Sequence, residues 1–256
     1  MMKRSVEKFL ASPRKAVTLI GMSGVGKSYL SGKMEGWGWC NYSCDHLIGS
    51  QYLKDQLGGG AEGVSAQNIA GLSDFVGQIG DPEKGGLPLD EFRRRQALYY
   101  EAERSVLKDM PVVLQGVEGH FVNDSSGSLC EVEDGDVIRG VADCSLFVYL
   151  KVPQEDHAEI LQRAISYPKP LYFPPAFLDD HLKKYMQQFD LSRIEQIDPV
   201  EFLRWVFPYL FQSRLPKYQA LADAYGVTVS SKRIGAIKSE GDFFDLIRDS
   251  VKEAAA

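Results

Sequence analysis

The segment Gly21-Met-Ser-Gly-Val-Gly-Lys-Ser28 satisfies the pattern G-x-x-x-x-G-K-[ST] at every fixed position. Few short patterns constrain a fold as strongly, because this one needs a strand before it and a helix after it. Gly21, Gly24 and Gly26 free the backbone for conformations that a Cβ forbids, so successive N–H groups can turn toward phosphate oxygens. Lys27 supplies a point charge for the outer phosphates, and Ser28 offers a hydroxyl to Mg²⁺. The flanks agree. Ala16–Ile20 is an apolar, β-branched run that reads as a buried strand, and Tyr29 to Glu35 reads as the first turns of a helix whose N-terminus points at the anion. Gly21, Ser23, Gly24, Val25, Gly26, Lys27, Ser28 and Tyr29 are therefore the expected contacts of a nucleoside triphosphate, with Mg²⁺ as its counterion.

The rest of the chain alternates strand and helix signals, the pattern of an α/β fold with a parallel sheet of about five strands flanked by helices. Trp37–Tyr42 is expected as the second strand, followed by a helix over Asp45–Leu57. The glycines from Gly58 to Gly63 break that helix, and another helical segment spans Ser65–Ile79. Leu89–Lys108 is the clearest long helix, with Pro111 just past its expected end. Pro111–Gln115 reads as the third strand, Ser145–Leu150 as the fourth and Gly226–Ser230 as the fifth. Pro153 opens a helix between the last two, and Asp242–Glu253 closes the chain with another. Two stretches interrupt the alternation. Val122–Val141 is rich in Asn, Asp, Ser and Gly and reads as an excursion. Tyr167–Phe211 is rich in aromatic residues and proline, and reads as a helical insertion within a single domain of 256 residues. Its aromatics suit a subdomain core; they also suit a cap that closes over a substrate.

Composition excludes several classes. With 44% hydrophobic residues the chain can bury a full core, and a net charge of −6 provides no basic field for nucleic acid or anionic membrane. No run approaches the length of a membrane span. Cys40, Cys44, Cys130 and Cys144 have neither C-x-x-C pairing nor zinc-spaced histidines, as expected of reduced thiols in a cytoplasmic protein.

With these elements placed, the chain resembles the shikimate kinase group of small-molecule P-loop kinases. The phosphate loop is close to that group's loop. Ser43-Cys-Asp45-His-Leu-Ile48 looks like its Asp-x-Asp-x-x-Ile segment, with Ser43 in place of the first Asp. Phe92-Arg93 resembles the pair opening its substrate-side helix, with Gln96 where a Glu is usual. Lys169-Pro-Leu171 is similar to the Arg-Pro-Leu of its lid. Arg214-x-Pro-x-Tyr218 with Ala222-Asp223 looks like its last helical motif. The likeness runs from Lys15 to about Ser230, with the two excursions outside it.

The resemblance implies an ATP-dependent phosphotransferase for a hydroxyl-bearing small metabolite, with Lys27, Asp45 and Arg214 in catalysis. Asp45 would orient or deprotonate the acceptor hydroxyl; as an alternative it caps the following helix. Arg93 would clamp the acceptor, or else belongs to a solvated Arg93-Arg-Arg95 run. Arg214 would meet the moving phosphoryl group or the substrate, or else makes a helix salt bridge. Lys169 would add charge from the lid, and Arg163 would lie against the adenine. Two departures stand out. Val117-Glu118-Gly119 replaces the three glycines expected after the third strand, so Glu118 and Gly119 would line a different acceptor site and the acceptor would not be shikimate. Ser43 removes one acid from the magnesium shell, and Glu118 is the candidate to restore it, unless it is a surface loop residue. His46 and His120 read as satisfied polar residues. The competing functional class is an ATP-binding regulator or pseudo-kinase without phosphotransfer. The oligomeric state is not legible in the sequence.

Overall fold

In a computed structural model, which describes residues 2–56 and 72–253, five strands form one parallel sheet. They are Ala16–Ile20 (β1), Cys40–Ser43 (β2), Phe121–Asp124 (β3), Leu146–Lys151 (β4) and Gly226–Ser230 (β5), in the spatial order β2-β3-β1-β4-β5. β1 is buried along its whole length and β4 at all but its last residue. That explains why both read as continuous apolar runs instead of alternating ones: a parallel sheet is covered on both faces. The strand order reverses direction at β1, and such switch points leave a crevice at the carboxyl ends of the strands.

The helices are Met2–Ala11 (α1), Lys27–Gly36 (α2), the short Cys44–Leu47 (α3) running into a π-helical turn at Ile48–Tyr52, and residues 72–76 (α4). They continue with Leu89–Gln115 (α5), Gly135–Cys144 (α6), His157–Ser166 (α7), Pro175–Gln188 (α8), Pro199–Tyr225 (α9) and Glu240–Glu253 (α10). The glycine break from Gly58 to Gly63, and the expected helix from Ser65 as far as 71, lie outside the described residues.

The third strand is not where the sequence pattern put it. Pro111–Gln115 is the last part of α5, which runs seven residues beyond its expected end at Lys108. Pro111 removes one N–H from the helix ladder, but the apolar spacing carries the helix past it. Val106, Leu107, Met110 and Leu114 are all buried on one stripe, whereas Val112 and Val113 face solvent at 69% and 43% exposure. The true β3, Phe121–Asp124, begins one residue before the stretch read as an excursion and ends within it. Two of its four residues are polar, and this concealed it. Asn123 is fully buried and donates through Nδ2 to Thr18 Oγ1 at 3.3 Å, while its Oδ1 accepts from Cys44 Sγ at 3.1 Å. Thr18 Oγ1 in turn lies 2.8 Å from Ser145 Oγ. A polar thread crosses the sheet with its members satisfied, which is the condition for burying such groups. The remainder of the supposed excursion contains α6, started by Asp134, whose Oδ1 accepts from the N–H groups of Asp136 and Val137.

The chain divides into two compact units. The first comprises Met1–Cys44, Arg104–Asp156 and Arg214–Ala256, and holds the sheet. The second comprises Asp45–Glu103 and His157–Ser213, so it takes in the aromatic stretch together with an earlier segment. Its own core contains Phe92, Phe173, Leu178, Tyr185, Ile197, Phe202, Val206 and Leu210. The aromatics between 167 and 211 that enter this cluster are packed inward.

Candidate nucleotide-binding site

The phosphate loop leaves the carboxyl end of β1 and becomes α2 at Lys27. Gly24 and Gly26 have φ values of 82° and 102°, the left-handed region that a side chain resists, and Gly26 serves as the N-cap of α2 in that conformation. The α2 N-terminus therefore opens onto the loop with no side chain capping it, as an anion-binding nest requires. Lys27 is buried to 7% exposure, and its Nζ donates to the carbonyls of Gly21 at 2.7 Å and Met22 at 3.1 Å. The ammonium is thus held inside the loop by the loop's own backbone.

Asp124 is the acid that completes this end of the sheet, and the sequence reading missed it. It ends β3 and shares a row with its neighbours: Leu19 of β1 pairs with Asp124, and Asp124 pairs with Ser43 of β2. Its Oδ2 accepts from Ser31 Oγ at 3.2 Å, and Ser31 Oγ also lies 3.2 Å from the carbonyl of Ser28. The carboxylate is therefore tied to α2 through Ser31, whose hydroxyl also reaches the backbone of the loop residue that offers a hydroxyl to a cation. Mg²⁺ takes oxygen ligands, retains waters and needs few protein groups when phosphates supply the rest. Ser28 and Asp124 fit that chemistry, and among the described residues no cluster of three or more His, Cys, Asp or Glu competes as a metal site.

Glu118 and Gly119 require correction. They follow α5 and precede β3, so they lie at the amino ends of the strands, opposite the phosphate loop, and both are exposed. The misplaced third strand had put them at the wrong end of the sheet. His120 lies at that same end, where its Nδ1 accepts from the Lys15 N–H at 3.0 Å and its ring packs on Trp39. Ser43 remains at the carboxyl end of β2, next in register to Asp124, so the acid absent at Ser43 is present one strand over.

Of the other candidates, Arg214 belongs to the first unit, and Asp45, Arg93, Arg163 and Lys169 belong to the second. Asp45 sits within the first turn of α3, which begins at Cys44, and so is not the residue before the helix that an N-cap would be. Arg93 is half-exposed and donates to Asp179 Oδ1 at 2.7 Å. Arg94 and Arg95 both bind Glu91, and their hydrogen bonds hold the Glu91 carboxyl down at about 2. The arginine run is thus a paired, solvated face. Arg163, Lys169 and Tyr29 are exposed, and Tyr29 carries Lys33 Nζ 4.5 Å above its ring.

Arg214 is buried to 4% exposure. Its Nε donates to Glu131 Oε1 at 3.0 Å and its Nη1 to the Gly127 carbonyl at 3.0 Å, while Lys217 Nζ bonds the second Glu131 oxygen. Burial disfavours the guanidinium charge, but Tyr218, Cys130 and Glu131 outweigh that and push its pKa up. The salt bridge runs from α9 to the 3₁₀ turn at Leu129–Glu131 and is not confined to the helix.

The sequence matches no protein-family model and no curated protein. Among solved structures, the chain is similar to a shikimate kinase from Acinetobacter baumannii in complex with shikimate, with 15% identity, 98% of this chain and 97% of that chain covered, and a TM-score of 0.45. It is similar to a shikimate kinase from Aquifex aeolicus at 15% identity, with coverages of 94% and 98% and a TM-score of 0.42. A gluconokinase from Sinorhizobium meliloti is also similar, at 16% identity, coverages of 78% and 95%, and a TM-score of 0.27.

Proposed function

We propose that this protein is an ATP-dependent phosphotransferase that acts on a hydroxyl group of a small metabolite. The observation that carries the reading is the shared row at the carboxyl end of the sheet: a complete phosphate loop after β1 and a buried carboxylate, Asp124, at the end of adjacent β3. The loop N–H groups and Lys27 bind the triphosphate oxygens, and Ser28 with Asp124 would hold Mg²⁺. The ion supplies charge neutralisation on the terminal phosphates. Asp45, two residues beyond Ser43, orients the acceptor hydroxyl and accepts its proton. Arg163 lies against the base, and Lys169 holds the outer phosphate. The segment Tyr167–Phe211 combines a packed core with the lid role, closing with Lys169 and excluding water.

A second reading has an observation of its own. The Arg214 guanidinium is committed to Glu131 and Gly127, a structural use that suits a nucleotide-dependent switch without transfer. Release of ADP from Mg·ATP across a panel of polyols, sugars and hydroxy acids separates the two. The kinase reading expects turnover with at least one acceptor, and expects Asp45→Asn to keep nucleotide binding while losing about 10²–10⁴-fold in rate. Undiminished turnover in Asp45→Asn rejects the role of that carboxylate, and tight binding with no turnover across the panel favours the switch.

A further inference from the structure

The loop Ser125–Ser128 follows Asp124 and runs against the phosphate loop. A Cβ added at Gly127 would stand 3.1 Å from the backbone nitrogen of Ser23 and 3.4 Å from its Cβ, so the two backbones are in close approach. The Gly127 carbonyl is gripped twice, by Arg214 Nη1 at 3.0 Å and by the Tyr218 hydroxyl at 2.6 Å. The other end of the loop is fixed by Ser125 Oγ, which donates to the Leu19 carbonyl at 2.6 Å. Glu131, 1% exposed, faces Arg214 and Lys217, and Tyr149 stacks on Tyr218 with ring centroids 5.4 Å apart. Removing one member of such a buried ion pair strands the other as an uncompensated charge, so Glu131 and Arg214 keep each other in place.

We infer that Glu131 is a positioning residue for the nucleotide site: through Arg214 it fixes Gly127, and Gly127 sets the direction of the Ser23 N–H in the phosphate loop. The chain of contacts runs Glu131, Arg214, Gly127, Ser23, with Tyr218 as a second hold on the same carbonyl. Arg214 thereby shapes the site from behind, and Glu131 holds its guanidinium turned inward. This extends the reading of the loop as a triphosphate site and rests on it only for the ligand.

The test compares the full-length protein with Tyr218→Phe, which removes one hydroxyl and little volume, and with Glu131→Gln. The core variant Ile247→Val, fully buried in α10, serves as a stability control. Hydrogen exchange without nucleotide is read over peptides spanning 21–28 and 124–131, and Mg·ATP affinity is read by calorimetry. The expected result is faster exchange in both peptides for Tyr218→Phe and Glu131→Gln. Kd should rise roughly fivefold for Tyr218→Phe, the fold-change of one hydrogen bond, and tenfold or more for Glu131→Gln, with Ile247→Val unchanged in Kd. Unaltered exchange over 21–28 in Glu131→Gln, or in Tyr218→Phe should Glu131→Gln not fold, overturns the proposal, as does a Kd that follows melting temperature equally in all three variants. Should the unsubstituted protein bind no Mg·ATP, the nucleotide reading fails, and the exchange arm still decides the positioning role.

Discussion

Gln96→Glu is a one-atom change whose cost follows from two hydrogen bonds. Gln96 is 5% exposed; its Oε1 accepts from the Phe173 N–H at 2.8 Å and its Nε2 donates to the Leu171 carbonyl at 3.2 Å. The amide thus secures the segment just after Lys169 by using both its donor and its acceptor. An ionised carboxylate keeps the first bond and loses the second, leaving two oxygens face to face in a buried position. The lost bond costs about 1 kcal/mol and the stranded carbonyl with its charged neighbour about 2 more, giving roughly 3 kcal/mol. At about 1.4 kcal/mol per unit, this corresponds to a folded-state pKa about 2 units above the usual glutamate value near 4.3. The sign follows from linkage. The protonated acid can donate to Leu171 as the amide does, so stability is near that of the original protein below the unfolded pKa and is lost as pH rises through the elevated folded value. The deficit should be about 1 kcal/mol at about pH 5 and about 3 at pH 8. At about 2–4 °C per kcal/mol, the melting point should fall by about 2–4 °C at the lower pH and 6–12 °C at the higher. Melting curves of both proteins, compared at each pH, provide the assay. A variant within about 2 °C of the original at pH 8, or one whose deficit grows on acidification, refutes the reasoning.

Asp124→Asn should preserve the bond from Ser31 yet remove a charge from the cation site, so Mg²⁺-dependent strengthening of ATP binding should fall by tenfold or more, as read by titration with and without Mg²⁺. Glu118→Gln, at the opposite end of the sheet, should leave both titrations unchanged. Gly226→Ala should prevent folding or melt the protein far below its normal temperature, because the new Cβ would stand 1.8 Å from the Phe147 carbonyl oxygen; circular dichroism of the purified variant checks this.

The sequence patterns that were legible are those in which local chemistry and tertiary role coincide. β1 and β4 are apolar because they are buried on both faces, and the phosphate-loop glycines are where the backbone turns left-handed. β3 was hidden because Asn123 and Asp124 find their partners on other strands and on α2, contacts that no local window contains. Pro111 and two valines imitated a strand, although the buried stripe through Met110 and Leu114 already continued the helix. That single misplacement moved the supposed acid from Asp124 to Glu118 and hid the Ser125–Ser128 loop. An Asp closing a short run just before Ser-Ser-Gly-Ser was the available signal. Glu131 had none, since its importance comes from Arg214, 83 residues away.

Every functional role proposed for this protein depends on the loop from Gly21 to Ser28 being a working triphosphate site. Calorimetric titration of Mg·ATP into the full-length protein and into Lys27→Ala tests it most directly. Lys27 is held by loop carbonyls and not by the hydrophobic core, so its truncation should leave folding intact while removing a charge-assisted contact to phosphate. Saturable one-to-one binding to the original protein is expected, with a loss of at least a hundredfold in affinity in a variant whose circular dichroism spectrum is unchanged. Equal affinity in the two proteins, or no binding to the original, would contradict it.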